Sequence, residues 1–527
     1  MPRNADEGPR RRTFQRRTFL GAAAAAAAAI GAAAGCTADG SSRPQPAHGR
    51  PRASRSPART PARPAVAERD LPGNPDFWLR SAGPPEAIEG YADQVSVRPG
   101  EPFTVHVSTT GASFRVSAYR VGWYRGAQAR LVWRSGEIRG RRQPGASFAS
   151  ATRTVYTRWE PALTVATGGW PEGAYLIRLD ASNGHQRYVP LVVASADGAG
   201  KTVLVHAPET WQAYNLWGGY SLYQGEDGSY GTRSRQVSFS RPYDGTGASR
   251  FMIYERAFVV LAERTGIPLA YTTGPDIERD PAVLRGATAI CTLGHDEYWT
   301  PGRRAAVTRA RDAGTNLAFL GANTCFRRIR LAQGAAVGTS VICYKSDVGQ
   351  DPMYSSHPAL ATTDYRAAPA PDPESRLTGV SYEGYPVDAP YVIRQPDHWL
   401  YAGTGARRGQ SFAHLVGVEY DGVDLGYPTP RPIEVLAHSP VVCDGRPGYS
   451  DTAYYTTASG AGVFASGTMR WVESMMAGRG GDGTDHHIPA AAGRFVTRVN
   501  TNLLLGFARG PAREHYPPAQ DNLAALA

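Results

Sequence analysis

Between Lys201 and Leu320, short apolar runs alternate with stretches of helical spacing, and this alternation restricts the fold more than any other feature of the chain. Thr202–Ala207, Ile267–Tyr271, Ala287–Leu293 and Thr315–Leu320 read as buried strands. Met252–Glu263 and Arg303–Ala313 have helical periodicity, and Gly266 and Gly314 follow them as stops. Strands separated by helices of about a dozen residues form βαβ units, which predicts a parallel sheet. Ligands of such sheets sit where strands hand over to helices at their carboxyl ends.

Gly294-His295-Asp296-Glu297-Tyr298-Trp299 falls at such a point. It follows the Ala287–Leu293 run, and Thr300-Pro301 after it is a helix start, with Thr as cap and Pro in the first turn. Two other segments beyond strand ends are rich in polar and aromatic residues. One runs from Thr210 through Tyr214-Asn215 to Ser221-Leu222-Tyr223, and the other is Gly321-Ala322-Asn323-Thr324. Parallel strands bring all three to one edge, so a pocket lined by Tyr214, Tyr223, His295, Glu297 and Asn323 is expected. No Cys or Ser occupies the turn after the strand, and no GxSxG elbow occurs, which argues against a covalent acyl-enzyme and leaves acid–base or metal chemistry. Glu and Tyr oxygens are hard ligands, and two tyrosinates with a carboxylate match the charge of Fe(III).

Ahead of this region, residues 85–196 show short alternating runs such as Phe103–Val107, Phe114–Val121 and Tyr175–Leu179, separated by turn signals. They predict an all-β, immunoglobulin-like sandwich. The α/β domain is expected over 197–515, with Pro/Gly/Asp loops and short strands from Ser340 onward and a last helix near Ala491–Phe507.

Residues 1–36 read as an export signal. Arg16-Arg17-Thr18-Phe19-Leu20 is a twin-arginine pattern, an Ala-rich run follows, and Ala33-Ala34-Gly35-Cys36 resembles a lipobox, with ordinary cleavage after a small residue as the alternative. Residues 37–84, rich in Pro, Arg, Ser and Ala, are expected to form a disordered tether. Residues 1–70 hold thirteen arginines against five acids, so this stretch carries +8 of the net +11. The remainder is close to neutral, and the basic balance is no argument for nucleic acid. Cys325 and Cys343 are close enough in sequence for a disulfide outside the cell, whereas Cys291 reads as a buried small residue.

The stretches Thr210–Asn215, Ser221–Tyr223, Gly294–Trp299, Leu320–Asn323 and Gly417–Asp421 together resemble the large (beta) subunit of N,N-dimethylformamidase in its C-terminal region, over roughly residues 200–510. The resemblance implies a mostly parallel, glutamine-amidotransferase-like three-layer α/β fold. It also implies a mononuclear non-haem iron held by Tyr214, Tyr223 and Glu297, with His295, Asn323 and Glu419 as catalytic groups and Glu419 as the general base. Tyr220, Tyr230 and Tyr243 are rivals of Tyr223, and Glu434 is the rival of Glu419. The implied activity is iron-dependent hydrolysis of a small amide. The alternative is a non-catalytic surface lipoprotein that binds carbohydrate or envelope material through the sandwich. Expected partners are an amide-like substrate, a membrane only through Cys36, and further copies of the chain. Asp485-His486-His487 and the Arg303-Arg304 and Arg327-Arg328 pairs read as solvated loop or helix faces, and His398-Trp399 as a pocket wall or a half-buried pair. A shared ion requires Tyr214 and Glu297 to lie well within about 10 Å of each other, because metal–oxygen bonds are about 2 Å long.

Overall fold

The computed structural model describes residues 66–478 and 484–525. The twin-arginine pattern, Cys36 and tether residues 37–65 lie outside the described residues. Among the described residues no helix is long and apolar enough to cross a membrane.

Residues 66–84, expected as tether, are packed instead. Phe77 is fully buried, and its carbonyl accepts a hydrogen bond of 2.7 Å from the Tyr188 hydroxyl. Glu68 accepts from Arg130 and from the Tyr124 hydroxyl at 2.6 and 2.7 Å. One aromatic anchor and a few backbone carbonyls hold the segment, a contribution that average composition does not register.

Two sheets follow. Ile88–Ala92, Pro102–Thr109 and Leu163–Ala166 form the smaller; Ser96–Val97, Gln186–Val193, Gly173–Ala181, Ser113–Val121 and Ala129–Arg134 form the larger, in that order. Alternate residues, among them Val105, Val107, Val116, Ile177 and Val189, meet in a core of their own. The other set from the larger sheet (Tyr119, Val121, Leu176, Tyr188, Val192) joins Leu204, Phe251, Phe258 and Tyr271 in the core of the region that follows. Arg120 crosses the junction to Glu263 at 2.5 Å, both side chains buried.

The main sheet has seven strands. In chain order its members are β1 (Thr202–His206), β2 (Leu269–Thr273), β3 (Ala289–Gly294) and β4 (Asn316–Gly321), then β7 (Ile433–Cys443), β8 (Arg446–Thr456) and β9 (Gly462–Ala465), with the long hairpin β5 (Ser381–Val392) and β6 (Ser411–Gly422) between. The spatial order is β2-β1-β3-β4-β9-β8-β7. The first five are parallel, β8 runs against them, and β7, antiparallel to β8, returns to their direction. β3 is buried along its whole length, and its neighbouring residues feed different cores: Cys291 and Leu293 one, Ile290 the other. Helices cover both faces. α3 (Arg256–Thr265) and α6 (Ala490–Phe507) pack into the first core, and α4 (Gly274–Arg279) and α5 (Pro301–Asp312) into the second. The chain as a whole is rich in sheet.

The expected caps are present. Thr300 accepts from the backbone N–H of Arg303, and Gly266 closes α3 at φ +78°. The single helix expected over 252–263 is two, α2 (Ser249–Tyr254) and α3, broken at Glu255. The Glu255 carboxylate meets His206 Nδ1 at 2.5 Å and accepts from Trp211 Nε1 at 2.8 Å. Four strands beyond Ser340 are long rather than short. β5 and β6 each have twelve residues, β7 and β8 eleven, and β5 and β6 pair across register shifts that accommodate their Gly and Pro residues. Cys325 and Cys343 are not joined; with Cys291 and Cys443 they are free and buried, and they belong to different apolar clusters. Their nearness in sequence does not place them in one cluster.

Candidate active site

β1 lies between β2 and β3, so the connections leaving its carboxyl end and that of β3 diverge, the switch point at which α/β sheets bind ligands in a crevice. α1 (Pro208–Tyr214) leaves β1 and ends on Tyr214; the Gly294–Trp299 segment leaves β3. Thr210 ties them together, its hydroxyl accepting from the backbone N–H groups of Glu297 and Tyr298 at 3.1 and 3.4 Å. Gly294 has φ +46°, and a Cβ there would lie 2.3 Å from the Tyr254 carbonyl, so only glycine fits the turn. The loop after β4 is stitched alongside, with Cys325 N–H donating to the Asp296 carbonyl at 3.0 Å and Arg327 N–H to the Glu297 carbonyl at 2.9 Å. β6 completes the site. Glu419 faces Asn323, and the backbone N–H of Asn323, a residue at φ +59°, donates to Asp421 at 2.7 Å.

The two acids of Gly294–Trp299 have different partners. Asp296 takes a bidentate pair from Arg303, which is fully buried on α5. Glu297, also fully buried, meets phenols. The Tyr214 hydroxyl lies 2.7 Å from Glu297 Oε2, and the Tyr223 hydroxyl lies 2.8 and 2.9 Å from Oε1 and Oε2. The two phenol oxygens are themselves 2.8 Å apart. The separation between Tyr214 and Glu297 is therefore well inside the limit for a shared ion. Tyr298 donates to Tyr223 from behind at 2.8 Å.

Four short oxygen–oxygen contacts thus join Tyr214, Tyr223 and Glu297, and two phenolic protons are available to them. Oxygens this crowded suit a cation in place of the missing protons, and carboxylate with phenolate suits a hard one. Among the described residues no group of three or more His, Cys, Asp and Glu is placed to hold a metal; this set is phenolic and of another type.

The electrostatics agree. Burial raises the proton affinity of both phenols, and the adjacent Glu297 raises it further, so neither becomes a phenolate without added positive charge. Burial also works against ionised Glu297, but His295, Arg327 and Lys345 outweigh it and hold the carboxyl below the usual carboxylate range. Glu419 is pushed up by burial and by Glu297, against the pull of His295. His295 Nε2 stands 3.5 Å from Glu297 and 3.6 Å from Glu419, and neither ring nitrogen has a hydrogen-bond partner. Asn323 donates its amide to Glu419 at 2.8 Å and leaves Oδ1 unpaired. Buried polar atoms left this way are costly, and a water, an ion or a ligand that pairs with them is favoured.

All six expected residues, Tyr214, Tyr223, His295, Glu297, Asn323 and Glu419, converge. The rivals lie elsewhere. Tyr220 packs on Phe148, Tyr230 lies under Arg233, Tyr243 meets Trp211, and Glu434 accepts from Gln520 N–H at 3.2 Å. His486 is bound to Glu473 at 2.5 Å and His487 is exposed; His398 and Trp399 pack against Tyr454. Both arginine pairs expected at the surface are instead largely buried. Arg303 and Arg304 lie against α5's neighbours, and Arg327 donates to Glu297 at 3.2 Å and pairs with Asp364. Local sequence gives charge but not burial. Lys345 was also missed. Its ammonium sits 3.1 Å from the centre of the Tyr223 ring, fully buried, and burial together with Arg327 pushes it down to about 7. A signal existed, since this is one of only two lysines in the chain and it ends the apolar run Val341-Ile342-Cys343-Tyr344.

A cluster of buried carboxylates, phenols and an unpaired imidazole at the end of parallel strands is the kind of arrangement that hydrolases and other acid–base or metal enzymes use. The family described as N,N-dimethylformamidase beta subunit-like, C-terminal, matches residues 115–486, and the chain belongs to it. The match begins in the sandwich rather than near residue 200 as the motifs suggested, and it ends before α6 rather than near 510. Over that span the sandwich and the main sheet share one core. No curated protein matches. Among solved structures, a Paenibacillus sp. cycloisomaltooligosaccharide glucanotransferase complexed with cycloisomaltoheptaose is 13% identical over 49% of this chain, with a TM-score of 0.14. The present chain spans 33% of that one, and the likeness carries no argument.

Proposed function

We propose that the chain is an iron-dependent hydrolase of a C–N bond in a small amide. Membership of a dimethylformamidase-like family supports hydrolysis. The observation that carries the metal is the crowding of Tyr214, Tyr223 and Glu297 oxygens with too few protons between them. Those three residues would hold Fe(III). When bound, the ion polarises a carbonyl and makes water more acidic.

Glu419 lines the same space, held by Asn323, and takes the proton of the attacking water. As the C–N bond breaks, that proton passes to the departing nitrogen, so water has been added and a carboxylic acid and an amine result. His295, set between the two carboxylates with free ring nitrogens, orients the substrate and meets charge as it develops. Arg327 and Lys345 keep Glu297 ionised. The layered arrangement of helices about the main sheet supports the glutamine-amidotransferase-like reading of the fold. Export by the twin-arginine pattern and attachment at Cys36 belong to the same proposal and rest on the sequence.

Elemental analysis of the purified chain beside Glu297→Gln tests it. Near one iron per chain, lost in the variant together with hydrolysis of simple amides, is expected. Two folded proteins without iron would overturn it.

A further inference from the structure

Away from the crevice, a cavity of about 580 Å³ opens between α3, the first turns of α6 and the turn at 474–477. It is lined by Arg264 from the last turn of α3 and by Arg494 and Arg498 from α6. The latter two are four residues apart and therefore share a helix face. All three are exposed, and among the described residues none has a carboxylate partner and no carboxylate lines the cavity. Arg264 is steadied by the Trp123 ring, 4.9 Å from its guanidinium carbon. Leu261, Met475 and Ala477 supply an apolar wall. α6 begins here without a side-chain cap, so its first-turn N–H groups add to the positive field.

Elsewhere in this protein arginines near acids are paired with them, as Arg303, Arg327, Arg330 and Arg366 are. Three unpaired guanidinium groups around one hollow repel one another and lower the energy of any anion that enters. A single carboxylate would answer one fork and leave two. A phosphate monoester carries nearly two charges and three terminal oxygens, and accepts from several forks at once. The volume lies in the range of small-molecule sites. We propose that this cavity binds a phosphate monoester with an apolar body, at a site separate from the catalytic crevice.

Calorimetric titration of the full chain with phenyl phosphate tests this, with benzoate as the monoanionic control. A parallel arm uses sedimentation with phosphatidylcholine vesicles containing phosphatidic acid, which offers the same group on a lipid. Binding of phenyl phosphate that is tighter than benzoate is expected, weakened about tenfold or more in Arg494→Ala/Arg498→Ala and in Arg264→Ala. These are exposed positions, and circular dichroism verifies that the variants fold. Arginine-dependent binding of the vesicles alone would keep the chemistry and name a lipid headgroup as its source. Binding of neither, benzoate binding as tightly as phenyl phosphate, or equal binding by wild type and folded variants would overturn the proposal.

Discussion

Two places in this molecule are built from the same parts, a glutamate, an arginine and two tyrosines, and they behave differently. At the junction of sandwich and main sheet, Glu263 pairs with Arg120 and accepts the Tyr271 proton, while Tyr124 sends its proton to Glu68. Arg120 also donates to the Tyr124 oxygen at 2.9 Å and to the Glu172 carbonyl at 2.8 Å. Each phenol has its own acceptor. In the crevice, Tyr214, Tyr223 and Glu297, beside Arg327, share four short contacts and two phenolic protons, and the ring nitrogens of nearby His295 have no hydrogen-bond partner. The residue inventory is therefore a poor guide to role. What distinguishes a joint from a reactive site is whether the proton count closes.

Substitutions in the two clusters should part cleanly. The largest effect is expected for Glu297→Gln, with iron lost and amide hydrolysis down by at least about a hundredfold, while the fold persists. Assays of metal and turnover on the same preparation check this, and full iron in the variant would break the contrast. Next, Glu419→Gln should retain iron and lower kcat by about 10²–10⁴-fold, the range for a lost general base; steady-state kinetics beside metal analysis separates the two outcomes.

Glu263→Gln touches the other cluster. It should leave the metal in place and cost about 3–5 kcal/mol in urea unfolding, because Arg120 remains buried without its partner. A variant as stable as wild type would mean that the junction is not a closed network.

The smallest effect concerns another satisfied acid, Asp351. Burial opposes its ionisation, but Arg330, the backbone N–H groups of Met353 and Thr362, and the Thr362 hydroxyl outweigh it and hold the carboxyl below its ordinary value. A carboxyl lowered in the folded state stabilises above the unfolded value near about 4, and the contribution fades as pH falls through the folded value. Asp351→Asn should therefore cost about 1–3 kcal/mol at neutral pH. Denaturant curves at stepwise lower pH should show its gap to wild type closing in acid.

The parallel strands and their punctuation were legible because each signal is local. An apolar run gives β3, Thr300-Pro301 the start of α5, and Gly266 the end of α3. The meeting of Tyr214, Tyr223, His295, Glu297 and Asn323 was legible from their places after strands, and that of Glu419 from the family motif. What escaped depends on distant partners. Arg327 and Lys345 look like any surface cations until the walls that bury them are assembled. Glu255 interrupts a helical pattern because His206 and Trp211, far back in sequence, claim its carboxylate. The twelve-residue strands β5 and β6 were hidden by their own Gly and Pro residues, which a bulged hairpin tolerates and a regular strand does not.

The larger sheet of the sandwich is covered on both sides, once by its own companion and once by the main sheet's core. This makes the sandwich a structural wall of the main-sheet region rather than a passenger. A truncated version beginning at residue 200 would present Tyr119, Leu176 and Tyr188's former contacts to water and leave Glu263 without its arginine. Heating should melt the sandwich and the main-sheet region in one calorimetric peak, and a minimal protein for engineering should keep both.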